Sequence, residues 1–227
     1  DFQVATNWTP TRTTPDTDDI LVFNNGATNT IAYNVPTQTL GSIIIQSLTT
    51  VKFYSGAAII LTVGGGLNPV FQIEAGSTLV ASASAAANAI VINLVTGSIG
   101  SIGGNFTLMS NSGTVAHKFN AQDANAVTFV SGSVFTFGPL TSGNSFGVGT
   151  GVSGPGSMIF ASGSRYIIKS GSNPFGGSGP TTVTFFQPGS TYDHQTGNTP
   201  AFSGRTYANF ELNLNTVLTV TGSLTLT

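Results

Sequence analysis

The stretch Ser131-Gly132-Ser133-Val134-Phe135-Thr136-Phe137 joins a small, turn-forming triplet to a run in which Phe alternates with Val and Thr. Related phrases recur along the chain, at the Gly-Ser pairs that begin at positions 76, 97, 132, 163, 189 and 222. A turn followed by a strand, repeated many times, is typical of a chain that winds into stacked coils. The repeat therefore predicts a β-solenoid with coils of about 20 residues, lengthened in places by insertions.

The rest of the sequence favours strands throughout. No segment combines a 3.6-residue apolar period with helix-forming residues. Short β-branched or aromatic runs such as Ile43-Ile44-Ile45 are separated by Gly, Asn, Pro and Ser clusters. Consecutive apolar residues in these runs indicate burial more than simple alternation. We expect an all-β, single-stranded parallel β-helix, right-handed, with a β-sandwich as the alternative. A sandwich should contain more two-residue hairpin turns than the one at Asn25-Gly26.

The two ends of the chain differ from its middle. Residues 1–19 contain Trp8, the only Trp, and we expect them to form an N-terminal cap over the coils of residues 20–227. The strand pattern is still running at Thr227, which suggests a part of something longer or a subunit whose last strand pairs with a neighbour. The apolar residues of that predicted assembly strand are Val217, Leu218, Val220, Leu224 and Leu226.

The composition excludes several classes of function. Only 6% of residues are charged and the net charge is -2, with the six Lys and Arg residues scattered, so we expect no nucleic-acid partner. No apolar run approaches the ~20 residues of a membrane-spanning helix, so we expect no membrane insertion. The chain has no Cys and hence neither disulfides nor thiolate metal sites. Its abundant Thr, Ser, Gly and Asn favour an extracellular or cell-surface location and a surface that touches another copy or a polymeric ligand.

The opening of the chain resembles a known class of protein. Trp8-Thr9-Pro10-Thr11-Arg12-Thr13-Thr14-Pro15, followed by Asp18-Asp19-Ile20-Leu21-Val22-Phe23-Asn24, is similar to the start of β-helical repeat regions in very large secreted, adhesin-like bacterial surface proteins. Two later phrases, Gly171-Ser172-Asn173-Pro174-Phe175-Gly176 and Ser203-Gly204-Arg205-Thr206-Tyr207, are similar to phrases in the same proteins. The resemblance implies a surface location and a structural or adhesive role, and it carries no catalytic motif.

Titratable residues gather in few places. Asp16-Thr17-Asp18-Asp19 presents hard oxygen ligands of the kind that Ca²⁺ prefers, although an acidic turn that caps the first strand is the favoured interpretation. His117-Lys118 with Asp123, and Asp193-His194 with Arg205, form the other groups. A glycosidase needs two carboxylates about 5–9.5 Å apart, and only Asp123 with Asp193 suggests itself as such a pair. We therefore predict no catalytic residues, no metal site and no cofactor.

Five aromatic residues fall in loops rich in Gly, Pro and Asn: Phe146, Phe175, Tyr192, Phe202 and Tyr207. If exposed, their rings could stack on sugars or contact another subunit, whereas the Phe residues at strand positions are expected to stack inside the coil. Pairs such as Thr219-Val220-Thr221 resemble the threonine rows of ice-binding solenoids, but they do not recur at a constant period.

These observations predict a non-catalytic extracellular structural protein. It would be a rigid solenoid rod within a surface protein or a self-assembling fibre, with its own copies or neighbouring segments as partners. The alternative is a carbohydrate-binding adhesion module that recognises extracellular glycans. A polysaccharide-active or ice-binding β-helix is the third hypothesis.

Overall fold

The computed structural model describes residues 1–12, 14–26, 29–66, 68–83, 88–148, 152–214, 217 and 222–227. Within them the only helical element is one turn of 3-10 helix, Ala5–Asn7. The strands are β1 Ile20–Phe23, β2 Asn29–Tyr33, β3 Gln38–Leu40, β4 Ser42–Ile45, β5 Thr50–Ser55, β6 Ile59–Val63, β7 Phe71–Ile73, β8 Thr78–Ala83, β9 Ile90–Leu94, β10 Gly100–Ile102, β11 Asn105–Ser110, β12 Lys118–Ala121, β13 Val127–Phe129, β14 Val134–Phe137, β15 Met158–Phe160, β16 Arg165–Ile168, β17 Thr184–Phe186, β18 Thr191–His194, β19 Thr206–Tyr207, β20 Asn209–Leu212 and β21 Thr225–Leu226.

The strands form three sheets that run along a β-solenoid of about six turns, which confirms the predicted fold. Sheet 1 has the order β1-β4-β7-β10-β13-β15-β17, and sheet 2 the order β2-β5-β8-β11-β14-β16-β18-β20. Sheet 3 is shorter, with the order β3-β6-β9-β12, and β19 pairs with β21. Every pairing between named strands is parallel, as it must be when each strand stacks on its counterpart one coil earlier.

The middle coils are longer than the expected 20 residues, whereas the register of sheet 2 gives 21 residues for its first coil and 18 for its last. In sheet 2, Phe106 lies beside Leu79 on one side and Phe135 on the other, which are 27 and 29 positions away in the sequence. The added residues lie in the connections between strands, so the strands themselves stay in register. The coil length therefore varies along the chain, as the irregular Gly-Ser spacing indicates.

Four copies of the Gly-Ser phrase, at Gly76, Gly132, Gly163 and Gly189, make the corner between sheets 1 and 2, whereas Gly97 lies at the corner between sheets 3 and 1. In Val130-Ser131-Gly132-Ser133 the amide of Ser133 donates to the carbonyl of Val130 at 3.0 Å, and Gly132 has φ +83°. These are the features of a type II turn, which requires a left-handed residue at its third position and therefore favours Gly. The same corner at Gly163 and Gly189 stacks directly, because the amide of Gly132 donates to the carbonyl of Gly163 and that of Gly163 to Gly189.

The strands alternate between buried and outward-facing residues. In β4, Ile43 and Ile45 are buried while Ile44 is only partly covered, and β5 and β9 alternate along their whole length. The expectation of burial on both faces is wrong here, since a solenoid of single coils has no outer layer to cover it. The core is one continuous cluster that runs from Phe2 to Tyr207.

Two ladders of stacked rings run through the second half of the core, as predicted for the strand Phe residues. On sheet 1 the rings of Phe129 and Phe160 lie 4.2 Å apart and 5° from parallel, and Phe186 continues the stack. On sheet 2 the ladder is Phe135, Tyr166, Tyr192 and Phe210, with centroid spacings of 5.4, 5.5 and 5.5 Å. The register places an aromatic ring on each successive coil.

The described residues before β1 include Phe2 and Trp8, which pack against the first two coils. Phe2 is buried and its ring packs edge-on against Phe53 at 6.2 Å, while Trp8 packs edge-on against Phe23 at 5.6 Å. The amide of Phe2 donates to the carbonyl of Tyr33, and the indole of Trp8 donates to the carbonyl of Phe2. This segment thus shields apolar residues that the first coil would otherwise expose.

Candidate functional site

The five loop aromatics do not form a surface site. Phe146, Tyr192 and Tyr207 are fully buried, and Phe175 and Phe202 are 1% and 8% exposed. The condition for sugar stacking, exposure of these rings, is therefore not met, and Tyr192 and Tyr207 lie in strands β18 and β19 and not in loops. Phe146 packs on Phe135 at 4.8 Å, and Tyr192 belongs to the ladder of sheet 2.

Side-chain turns explain why the loop rings point inward. The side-chain oxygen of Asn144 accepts from the amide of Phe146 at 2.9 Å, and that of Asn173 accepts from the amide of Phe175 at 3.0 Å. In such Asx turns the Asn side chain bonds to the backbone two residues later, which reverses the chain direction without strand pairing. The side-chain Nδ2 of Asn144 also donates to the backbone carbonyl of Asn173 at 2.6 Å, so the two loops stack on each other like successive coils. Both loops contain the sequence Asn-x-Phe, and this is the pattern from which the burial of the two rings can be predicted.

The main charged cluster lies on the outer face of sheet 2 over its last three strands. Arg165 of β16 donates to Asp193 of β18 at 3.0 Å and makes two bonds to Glu211 of β20, at 2.6 and 3.1 Å. Gln195 and Asn213 donate to the same Asp193 carboxylate at 2.8 and 3.0 Å. We call these five residues the charged clasp. The expected group of Asp193, His194 and Arg205 is not formed, because the guanidinium of Arg205 lies 5.7 Å from the ring centre of Phe175 instead.

The clasp is suited to holding coils together. The hydrogen bonds to Arg165 outweigh burial and keep the pKa of Glu211 below its usual range, and the bond to Glu211 raises the pKa of Arg165. A general acid in glycoside hydrolysis needs a carboxyl group with a raised pKa, whereas the carboxyl pKa of Glu211 is lowered. Asp123 and Asp193 do not form a pair, because Asp123 lies at the corner before β13, whereas Asp193 lies in β18, two coils farther along the axis (~10 Å) and on a different sheet.

The other titratable residues have structural partners. His117 is buried and its Nδ1 accepts from the amide of Ile90 at 2.9 Å, while burial lowers its pKa. Asp123 accepts from the amide of Gly97 at 2.6 Å, and Lys118 faces outward from β12. His194 is buried against Tyr192, and burial lowers its pKa as well.

The acidic turn before β1 is tied to the cap. The carboxylate of Asp19 pairs with Arg12 at 2.5 Å and accepts from the amide of Asp16 at 3.0 Å. Burial raises the pKa of Asp19, but these two bonds outweigh it and lower the pKa overall. No group of three His, Cys, Asp or Glu residues suited to a metal occurs among the described residues.

The outer face of sheet 2 is mixed in chemistry. One outward row runs Ile31, Lys52, Val80, Thr107, Thr136, Ile167, Asp193 and Glu211. Threonines are neighbours at only one step of this row. The regular threonine array that ice binding would need is therefore not formed here, and Thr219 and Thr221 lie outside the described residues.

The two ends of the solenoid are the remaining candidate surfaces. At the N-terminal end an open cleft of about 780 Å³ lies between the cap and the first coil, lined by residues such as Trp8, Arg12, Ile20, Val22 and Ile31. At the other end β21 pairs with β19 on one side only. Of the predicted assembly residues, Val217, Leu224 and Leu226 are exposed, at 93%, 40% and 56%. Leu218 and Val220 lie outside the described residues.

No protein-family model, curated protein or solved structure matches the chain. In the described part of the chain, no helix is long and apolar enough to cross a membrane. The function is therefore inferred from the geometry of the solenoid.

Proposed function

We propose that the chain is a non-catalytic structural element that works outside the cell, as a rigid β-solenoid segment of a surface protein or of a self-assembling fibre. The observation that carries the proposal is the uninterrupted core. Aromatic rings stack coil on coil, and the clasp ties the last coils together. A core that continues through every coil resists bending and local opening.

The dimensions say how such an element would be used. The eight strands of sheet 2 are separated by seven steps of ~4.8 Å, which gives a length of about 34 Å. A spacer of that length is short beside a cell envelope. The structural role therefore requires the segment to be extended, by further coils of the same chain or by other copies.

Native-state hydrogen exchange tests the rigidity. We expect the amides of all three sheets, from β4 to β18, to exchange only through global unfolding, because their hydrogen bonds are flanked by buried side chains on every coil. Digestion with thermolysin should leave this region intact. Fast exchange of whole coils in the middle of the solenoid would contradict a rigid structural role.

A second candidate function is favoured by one feature of sheet 2. Tyr33 is 48% exposed, and its ring lies 5.7 Å from that of Tyr54 on the next coil. The ammonium of Lys52 lies 5.5 Å from the Tyr54 ring centre. Outward tyrosines beside a cation are suited to stacking on a sugar that carries an acidic group.

A glycan array with the wild type and Tyr33→Ala separates the two candidates. Carbohydrate binding predicts a signal that Tyr33→Ala reduces at least tenfold, while Phe185→Ala, which removes an exposed ring from sheet 1, leaves it unchanged. The absence of any array signal for the wild type would leave the structural role as the supported function.

A further inference from the structure

The first coil has two strands with an unused edge. In the described part of the chain, β1 pairs only with β4 and β2 only with β5, so one edge of each strand faces the N-terminal cleft. The cap covers the core beside these edges, through Phe2 and Trp8, and gives β2 one backbone bond, from Phe2 to Tyr33. An edge strand of this kind is a template for another strand, because its backbone groups on that side lack strand partners.

Within the strands themselves the usual protection against pairing is missing, although Pro10, Arg12 and Asp19 of the cap line the same cleft. β1 and β2 contain no charged residue and no Pro. Their outward side chains include Ile20, Val22 and Ile31, which are 54%, 39% and 43% exposed. Lys52 lies next to Ile31 in the same outward row, one coil farther along. Lys is a residue that opposes pairing when it lies on an edge strand. The two strands of the first coil are thus uncharged, whereas the second coil carries Lys52.

The opposite end of the molecule offers the matching edge. Among the described residues, β20 pairs only with β18, and β21 only with β19. Their single charge is Glu211, which is bound to Arg165, while Leu212, Leu224 and Leu226 are exposed. Every ladder is parallel, so the C-terminal edge of one copy has the strand direction that the N-terminal edge of another requires.

We propose that the N-terminal cleft beside β1 and β2 is a docking site for a second copy of this chain, which inserts its β20 and β21 edge head to tail. The proposal rests on the structural role and names its partner. The surfaces that meet are different, so the contact is heterologous, and each copy still has one free end of each kind. The result is an open-ended chain of molecules with continuous sheets.

Charge placed on the edge tests the site. Val22→Lys and Ile31→Lys put an ammonium on the two edge strands at outward positions, where folding does not need the apolar side chain. Gln72→Lys and Val80→Lys put the same charge on the same outward rows of interior strands and serve as matched controls. Sedimentation velocity and negative-stain electron microscopy over a concentration series should show oligomers for the wild type and both controls. The edge variants should stay monomeric with unchanged melting temperatures.

Cross-linking checks the orientation, since the chain contains no Cys. Oxidation of Val22→Cys combined with Leu226→Cys should give a ladder of dimers, trimers and longer species on a denaturing gel. Gln72→Cys combined with Leu226→Cys should give at most a faint dimer. Equal ladders from the two pairs would overturn the head-to-tail contact.

Two further results would also overturn the docking site: a wild type that is monomeric at every concentration, and edge variants that assemble as well as the wild type. Neither would bear on the structural role, because the exchange experiment measures the rigidity of a single molecule. Slow exchange with a monomeric wild type would mean that only the docking proposal has failed.

Discussion

Gly132 and Leu48 occupy the same corner of the solenoid on different coils, with different turns. The corner at Gln46-Ser47-Leu48-Thr49 also closes with a backbone bond, from Thr49 to Gln46 at 3.2 Å, but Ser47 and Leu48 both have positive φ, 58° and 60°. A left-handed conformation costs a residue with a Cβ roughly 1–2 kcal/mol. This corner therefore holds strain that the Gly-Ser corners avoid.

Substitutions at these corners should have opposite signs. Gly132→Ala should lower the free energy of unfolding by about 1–2 kcal/mol, from backbone strain alone, since an added Cβ would meet nothing within 4 Å. Leu48→Gly should raise it by about 0.5–1 kcal/mol, the relief of strain less the entropy that Gly loses on folding. Urea denaturation measures both.

Gly56→Ala is the control for this pair, because it also has open space and an ordinary φ, and it should change the unfolding free energy by less than about 0.5 kcal/mol. A Gly132→Ala protein as stable as Gly56→Ala would show that the corner can adopt another turn.

Among the elements, the ring ladder of sheet 2 has Tyr166 at its centre, fully buried between Phe135 and Tyr192. Its hydroxyl contacts that of Ser145 at 3.1 Å, and burial strongly raises its pKa, so the ring stays neutral. Tyr166→Ala should cost about 3–5 kcal/mol through the cavity it leaves. Tyr166→Phe keeps the stack and should cost about 1 kcal/mol. Guanidinium denaturation distinguishes the two, and equal losses would mean that the hydroxyl contact outweighs the ring.

The charged clasp should control the last strand of sheet 2. Arg165→Met keeps much of the side chain's volume but removes the bonds to Asp193 and Glu211, so the amides of Asn209–Leu212 should exchange at least tenfold faster. Arg205→Met, which loses no ion pair, is the control. Hydrogen exchange by mass spectrometry gives both, and unchanged protection in Arg165→Met would assign the hold on β20 to Phe210 stacking instead.

Sequence reasoning reached these elements unevenly. The Gly-Ser corners and the buried strand rings can be predicted from the local sequence. The turn type, and the alternation of buried and outward-facing side chains, are set within a few residues. The clasp does not, since Arg165 and Glu211 are 46 positions apart and meet only through coil lengths that vary along the chain. The composition of a Gly- and Asn-rich loop does not decide whether its rings are exposed, so the burial of Phe146 and Phe175 follows only from the Asx turns of Asn144 and Asn173.

For the whole molecule, the two buried histidines make stability depend on pH. Burial lowers the pKa values of His117 and His194 below the usual 6.5, so the unfolded chain binds more protons than the folded one as the pH falls. The free energy of unfolding should be constant well above pH 6.5 and decline below it. Asp19 and Glu211, with lowered pKa values, should add a separate loss only at lower pH, near their carboxyl range.

His117→Asn isolates one contribution, because its side-chain oxygen can still accept from the Ile90 amide without titrating. Its stability should decline less steeply between pH 7 and 5 than that of the wild type, as followed by urea denaturation at each pH. A slope equal to the wild type's would show that His117 does not lose its charge on folding.

The parallel stack also governs how such a molecule can change its size over generations. Residues added at a corner enlarge the girth of one coil and leave its axial distance to each neighbouring coil at ~4.8 Å. Only the duplication of an entire coil moves the two ends farther apart, and it does so by one fixed increment. Reach is therefore inherited in whole units, whereas the outline of each coil can vary one residue at a time. Selection can alter surface loops without disturbing the distance that the molecule spans.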